Sequence, residues 1–137
     1  MAKQRRAWMP SPVKITEASL PGTLKDEVET KAGNLIESVL KPMHVQPPPE
    51  GSLFNHITNI TIQWLGSKCY FVSTYACPAP SAISPTSETK FARMEFVGNS
   101  RFALSFLRHT GKWIVLYERL TVDECLQAIQ DDPWFTP

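Results

Sequence analysis

Two hydrophobic periods divide the chain. Between residues 23 and 41, Leu24, Val28, Leu35, Ile36, Val39 and Leu40 recur at helical spacing, with Ala32 filling the gap in the stripe. Thr23 has the side chain of an N-cap, and Asp26 and Glu27 are expected to bring negative charge to the first turn. Lys41-Pro42 is the expected stop. Gly33 interrupts the stripe at a cost of about 1 kcal/mol relative to alanine, so a neighbouring backbone is expected to approach there. Residues 42–53, with the run Pro47-Pro48-Pro49, read as an extended, semi-rigid linker.

From residue 54 the period becomes two. Phe54, His56, Thr58, Ile60, Ile62 and Trp64 share one predicted face, and Asn55, Asn59, Thr61 and Gln63 mostly share the other. Gly66-Ser67 predicts a tight hairpin into a second strand over 68–76, rich in Tyr70, Phe71, Val72, Thr74 and Tyr75. Three prolines exclude a central strand from CPAPSAISPTSE at 77–88, which reads as the longest internal loop. A third strand is predicted at 89–97, with Ala92, Met94 and Phe96 opposite Arg93 and Glu95. Gly98-Asn99 turns into a fourth at 101–109, where Phe102, Leu104 and Phe106 alternate with Ala103, Ser105 and Leu107. Thr110-Gly111 turns into a fifth at 112–119.

The last element has the sharpest local signature. Thr121-Val122-Asp123-Glu124 spells a capping box, and Val122, Cys125, Leu126 and Ile129 follow at i, i+3, i+4 and i+7. Asp131-Asp132-Pro133 stops the helix, and Trp134 and Phe135 are apolar enough to predict a docked tail. Short connections favour sequential pairing. The expected fold is α+β: an N-terminal helix, a five-stranded antiparallel meander and a C-terminal helix packed on the sheet. The expected division is an irregular arm at 1–22 and a single domain at 23–137.

Composition narrows the function classes. With 137 residues, 42% hydrophobic and 20% charged, the chain has an ordinary globular balance and needs neither metal nor disulfide to hold a core. A net charge of +1 excludes a surface built throughout for nucleic acid. Cys69, Cys77 and Cys125 are odd in number and fit no zinc spacing. The opening MAKQRRAWMP is basic but leads into no apolar run, and no stretch is long enough to span a membrane. A cytoplasmic protein with free thiols is expected.

The stretch from Leu24 to Phe135 carries Cys77-Pro78 with Ala82-Ile83-Ser84-Pro85, KFARMEFVG at 90–98, FLRHTGKW at 106–113 and ECLQAIQDDPWF at 124–135. With these it resembles a family of short, single-domain bacterial proteins, cyanobacterial ones included, of unknown function. The resemblance implies a stand-alone domain and brings no catalytic residue.

Candidate chemistry is sparse. Lys3, Arg5 and Arg6 beside Trp8 have the makings of a phosphate- and base-binding arm, although three cations are few and a solvated terminus explains them as well. His109, beside Arg108 and Lys112 at one turn, has the only near-neutral side chain type with a general-base role, but no nucleophile can be placed beside it. Arg93 and Glu95 share a strand face, where a cross-strand ion-pair ladder is expected and bidentate capture of an anion is the alternative. Cys77 opens the proline loop, where a thiol is either half-buried filler or a nucleophile. No catalytic residue, metal or cofactor is named. Aromatic residues on both faces of several strands exceed what one core needs, which favours a non-catalytic binding or protein-interaction module, with a second copy or another protein as partner. The rivals are a weak nucleic-acid binder using the arm with Arg93, Arg101 and Arg108, and a small-ligand enzyme with a pocket near His109, Arg93 and the 77–88 loop.

Overall fold

A computed structural model of the chain describes residues 20–137. Lys3, Arg5, Arg6 and Trp8 lie outside the described residues.

The first helical path has three pieces: α1 (Gly22–Leu35), one π-helical turn (Ile36–Leu40) and α2 (Lys41–His44). Its N-cap is Pro21, not Thr23, and no side chain caps it. The Lys25 amide donates to the Pro21 carbonyl at 3.0 Å, so Asp26 and Glu27 fall in the second turn and the first carries no acid. The helix also runs past Pro42. The Lys41 amide reaches the Ile36 carbonyl, a bond of i→i−5 type. That wider turn makes room for a proline ring that would otherwise press on the carbonyl four residues back. Leu24, Val28, Ala32, Ile36 and Leu40 form the buried stripe. At Gly33 a Cβ would meet nothing within 4 Å, so no backbone approaches there.

Five antiparallel strands follow in the order β1-β2-β3-β4-β5. They are β1 (His56–Leu65), β2 (Lys68–Ala76), β3 (Thr86–Gly98), β4 (Arg101–Leu107) and β5 (Trp113–Leu120). Register shifts occur in every strand pair, and two of them change the predicted faces. In β1 the register shifts between Ile57 and Asn59, so Thr58 is the extra residue and the parity reverses before it. Ile57 therefore packs on the core, while Phe54, expected inside, is 83% exposed. In β3, Phe71 pairs with Ala92 and Val72 with Lys90, which leaves Phe91 in the bulge. Phe91 turns into the core and meets Phe71 edge-on at 6.1 Å between centroids.

Strand β3 starts at Thr86, so the proline loop is shorter than its composition suggests. It is closed by the Cys77 amide donating to the Pro85 carbonyl at 2.8 Å. Asn99 and Ser100 both have positive φ (53° and 57°) between paired Gly98 and Arg101, a two-residue turn of the mirror-image type that suits hairpin twist.

Helix α3 (Val122–Asp131) begins with the expected box: the Glu124 amide donates to Thr121 Oγ1 at 3.2 Å, and the Thr121 amide donates to Glu124 Oε1 at 2.9 Å. Its buried residues are Val122, Cys125, Leu126 and Ile129. A short 3-10 turn (Pro133–Phe135) ends the chain. Phe135 joins the core; Trp134 does not. Both helices pack on the face that carries Ile60, Phe71, Met94, Phe102 and Leu104; among the described residues no helix lies over the opposite face, where Tyr70, Val72, Ala103 and Ser105 are nevertheless buried.

Candidate functional site

The sheet face opposite the described helices is organised by register. Tyr70 pairs with Arg93, and Arg93 with Ser105, so the three lie side by side across β2, β3 and β4. Trp113 on β5 pairs with Leu107 on β4, and its ring lies 5.6 Å from that of Tyr70. The Arg93 guanidinium sits 5.1 Å from the Trp113 centroid, and its Nη2 donates to Ser105 Oγ at 3.4 Å. Lys90 Nζ lies 5.4 Å from the Tyr70 centroid. Each ring thus holds one cation against its face, worth about 0.5–1 kcal/mol at an exposed site and more when desolvated.

The expected ion-pair ladder is not formed. Among the described residues the ion pairs are Lys31 with Glu27 and Asp123, and Lys41 with Glu37. Arg93 has none, and its Nε is buried with no hydrogen-bond partner among them. Register explains this. The residues directly opposite Arg93 are Tyr70 and Ser105, whereas Glu95 stands opposite Lys68 and Ala103. A residue two places along a strand is about 7 Å away, too far for a direct pair without bending both side chains.

Arg108 and His109 stand elsewhere, at the exposed turn between β4 and β5. The Arg108 amide donates to the Lys112 carbonyl at 2.9 Å and the Gly111 amide to the Arg108 carbonyl at 2.8 Å, which fixes the turn and leaves both side chains outside it. They line two clefts that share Trp134; Arg93 and the residues of the proline loop line neither. Cys77 is half-buried at the loop's edge, with Sγ 3.7 Å from Ser87 Oγ. The other two thiols are core groups, and burial pushes Cys69 and Cys125 up to about 12.

Sequence reasoning singled out Arg93, Arg108 and His109 but not Lys90 as part of a site. Lys90 follows an exposed run and precedes a bulge, so only the register reveals which face it joins. Among the described residues no three of His, Cys, Asp or Glu come together to hold a metal ion. No described helix is long and apolar enough to cross a membrane.

No curated protein and no solved structure is significantly similar to the chain. Residues 20–137 match the model of the domain of unknown function DUF3024, and the chain belongs to that family.

Proposed function

We infer that the chain is a protein-interaction module and that the sheet face opposite the described helices is its working surface. The observation that carries this is Arg93: a partly buried guanidinium, stacked on Trp113, with no acid paired to it among the described residues. A cation held out of water without a counter-charge is a standing cost that an incoming carboxylate relieves with bidentate hydrogen bonds.

The rest of the face selects the partner. Lys68 and Lys90 add positive charge, Glu88 and Glu95 lie on the same strands, and Val115, 48% exposed on β5, adds apolar surface. Such a mixture suits an extended protein segment with discrete acidic and apolar side chains. It suits an unbroken phosphate backbone less well, because Glu88 and Glu95 would repel it. A cytoplasmic setting belongs to the same reading, since none of the three cysteines is paired.

The test is a titration of isotope-labelled protein, followed by amide chemical shifts, with a peptide of alternating glutamate and leucine and separately with oligothymidylate. The expected result is peptide binding that moves Tyr70, Arg93, Ser105 and Trp113 and is abolished by Arg93→Glu. Binding of the oligonucleotide in place of the peptide, or peptide shifts away from this face, refutes it.

A second reading, self-association, is favoured by β1. That edge strand runs ten residues, HITNITIQWL, without a single charge, and ends on Leu65, which is 68% exposed. The other edge, β5, is guarded by Glu118, Arg119 and two register shifts. Light scattering at micromolar concentration tests it: a dimer converted to monomer by Thr61→Lys supports edge pairing, and a monomeric parent protein ends it.

A further inference from the structure

Two clefts at the end of the sheet share Trp134 in their lining. One, of about 490 Å³, is lined by Phe106, Ile114, Pro133 and Trp134, with Arg108 and His109. The other, of about 320 Å³, shares Trp134, Arg108 and His109 and adds Lys90 and Thr89. The larger lies within the usual size range of small-ligand sites, which combine an apolar lining with a few polar groups.

The distribution of charge is what makes the clefts informative. Neither has an aspartate or glutamate in its lining. A third groove, of about 420 Å³ between β5 and α3, is lined instead by Glu124, Asp131 and Asp132. Similar concave surfaces on one small domain therefore carry opposite charge. The cations of the first two have no described acid to pair with, since the described ion pairs involve only Lys31 and Lys41.

Trp134 adds a second, independent observation. It is 57% exposed, although the next residue, Phe135, is fully buried. It is nonetheless fixed: its amide donates to Asp132 Oδ1 at 3.2 Å, and its ring lies 4.8 Å from that of Phe106 at an interplanar angle of 36°. A rigid indole with one side packed and the other open to water is a ready stacking surface, preorganised at little further entropy cost.

We propose that the paired cleft at Trp134 binds a small amphiphilic anion, with a planar apolar body stacked on the indole and a carboxylate or phosphate held by Arg108 with His109 or Lys90. Arg108 gives the planar fork that matches either headgroup. His109 lines both clefts and Lys90 only the smaller, so the ligand's length decides which cation joins Arg108. This site lies beyond the face on which Arg93 stands; Lys90 and Leu107 belong to both.

The experiment uses 1-naphthyl phosphate, 1-naphthoate and the neutral 1-naphthylmethanol as probes, with calorimetry for affinity and amide and indole shifts for location. Both anions are expected to bind about tenfold or more tighter than the alcohol, as a charge-assisted hydrogen bond implies. The shifts are expected at the Trp134 indole, His109 and Gly111, and the tighter anion names the headgroup. Arg108→Ala, on an exposed turn, should weaken the anions about tenfold and leave the alcohol unchanged. Trp134→Ala should weaken all three. Equal binding of the three probes, no binding at millimolar concentration, or shifts confined to another surface would overturn the proposal. Peptide binding at Arg93 is read from different resonances, so either site can fail without the other.

Discussion

Adjacent aromatic residues at the end of the chain have opposite fates, and the difference is large enough to measure. Phe135 is 1% exposed and belongs to the hydrophobic core. Truncating a buried phenylalanine to alanine costs about 3–5 kcal/mol, from lost transfer energy plus the cavity left behind. Trp134 is 57% exposed, and its main contact is the ring of Phe106. Losing such a ring pair costs about 0.5–1.5 kcal/mol. Unfolding entropy is about 2.1 cal/mol/K per residue, so a domain of this length loses about 4 °C of Tm per kcal/mol. Phe135→Ala should therefore lower Tm by about 12–20 °C, and Trp134→Ala by no more than about 6 °C. Scanning calorimetry gives both numbers, and urea titration checks that the m-value is unchanged and the transition still two-state. A Phe135→Ala loss no larger than that of Trp134→Ala would falsify the docked tail, because it would mean that the 3-10 turn contributes nothing to the core.

Other tests bear on the helices and thiols. Gly33→Ala should stabilise the domain by about 0.5–1 kcal/mol in urea, because the new methyl meets open space and the glycine penalty in a helix is removed; destabilisation would reveal a contact missing from the structure. Glu124 is held below the ordinary 4.5, first by the Thr121 amide it accepts from and then by the Thr121 side chain. A lowered folded value means that the carboxylate's contribution is present above pH 4.5 and is lost as pH falls through the folded pKa, so the stability gap between the parent protein and Glu124→Gln should narrow on that acid side. A gap independent of pH would contradict the box. Native protein should give one thiol to a disulfide reagent at neutral pH, Cys77, and all three after unfolding, since burial holds Cys69 and Cys125 up at about 12; rapid labelling of more than one in the folded state would contradict the core as described.

Elements whose information is local were legible in the sequence. The capping box needs only Thr121 and Glu124, three residues apart, and it is formed. The alternation of Ala92, Met94 and Phe96 against Arg93 and Glu95 survives because no bulge interrupts it, and that of Phe102, Leu104 and Phe106 survives because the register shifts against β5 put the extra residues on β5. Turn glycines and short connections were enough to imply a meander, and the sheet has that order. Those features fix which residues face the helices and which point to the opposite face.

What the tertiary structure decided are the points where a distant partner overrides a local pattern. Thr58 and Phe91 became bulges because the facing strand sets the count, and each bulge moved side chains from one face to the other. Pro42 was passed rather than obeyed, because a widened turn kept Leu40 and the buried stripe continuous. Arg93 was visible as a charged strand residue, but its pairing with Trp113 spans two strands and depends on register. Trp134 and Phe135 look alike in sequence; only the direction of the final turn places one ring in the core and leaves the other beside Arg108 and His109. Periodicity and caps act over a few residues and can be read along the chain, whereas a site is made of residues brought together across it, and their meeting is a property of the packed sheet.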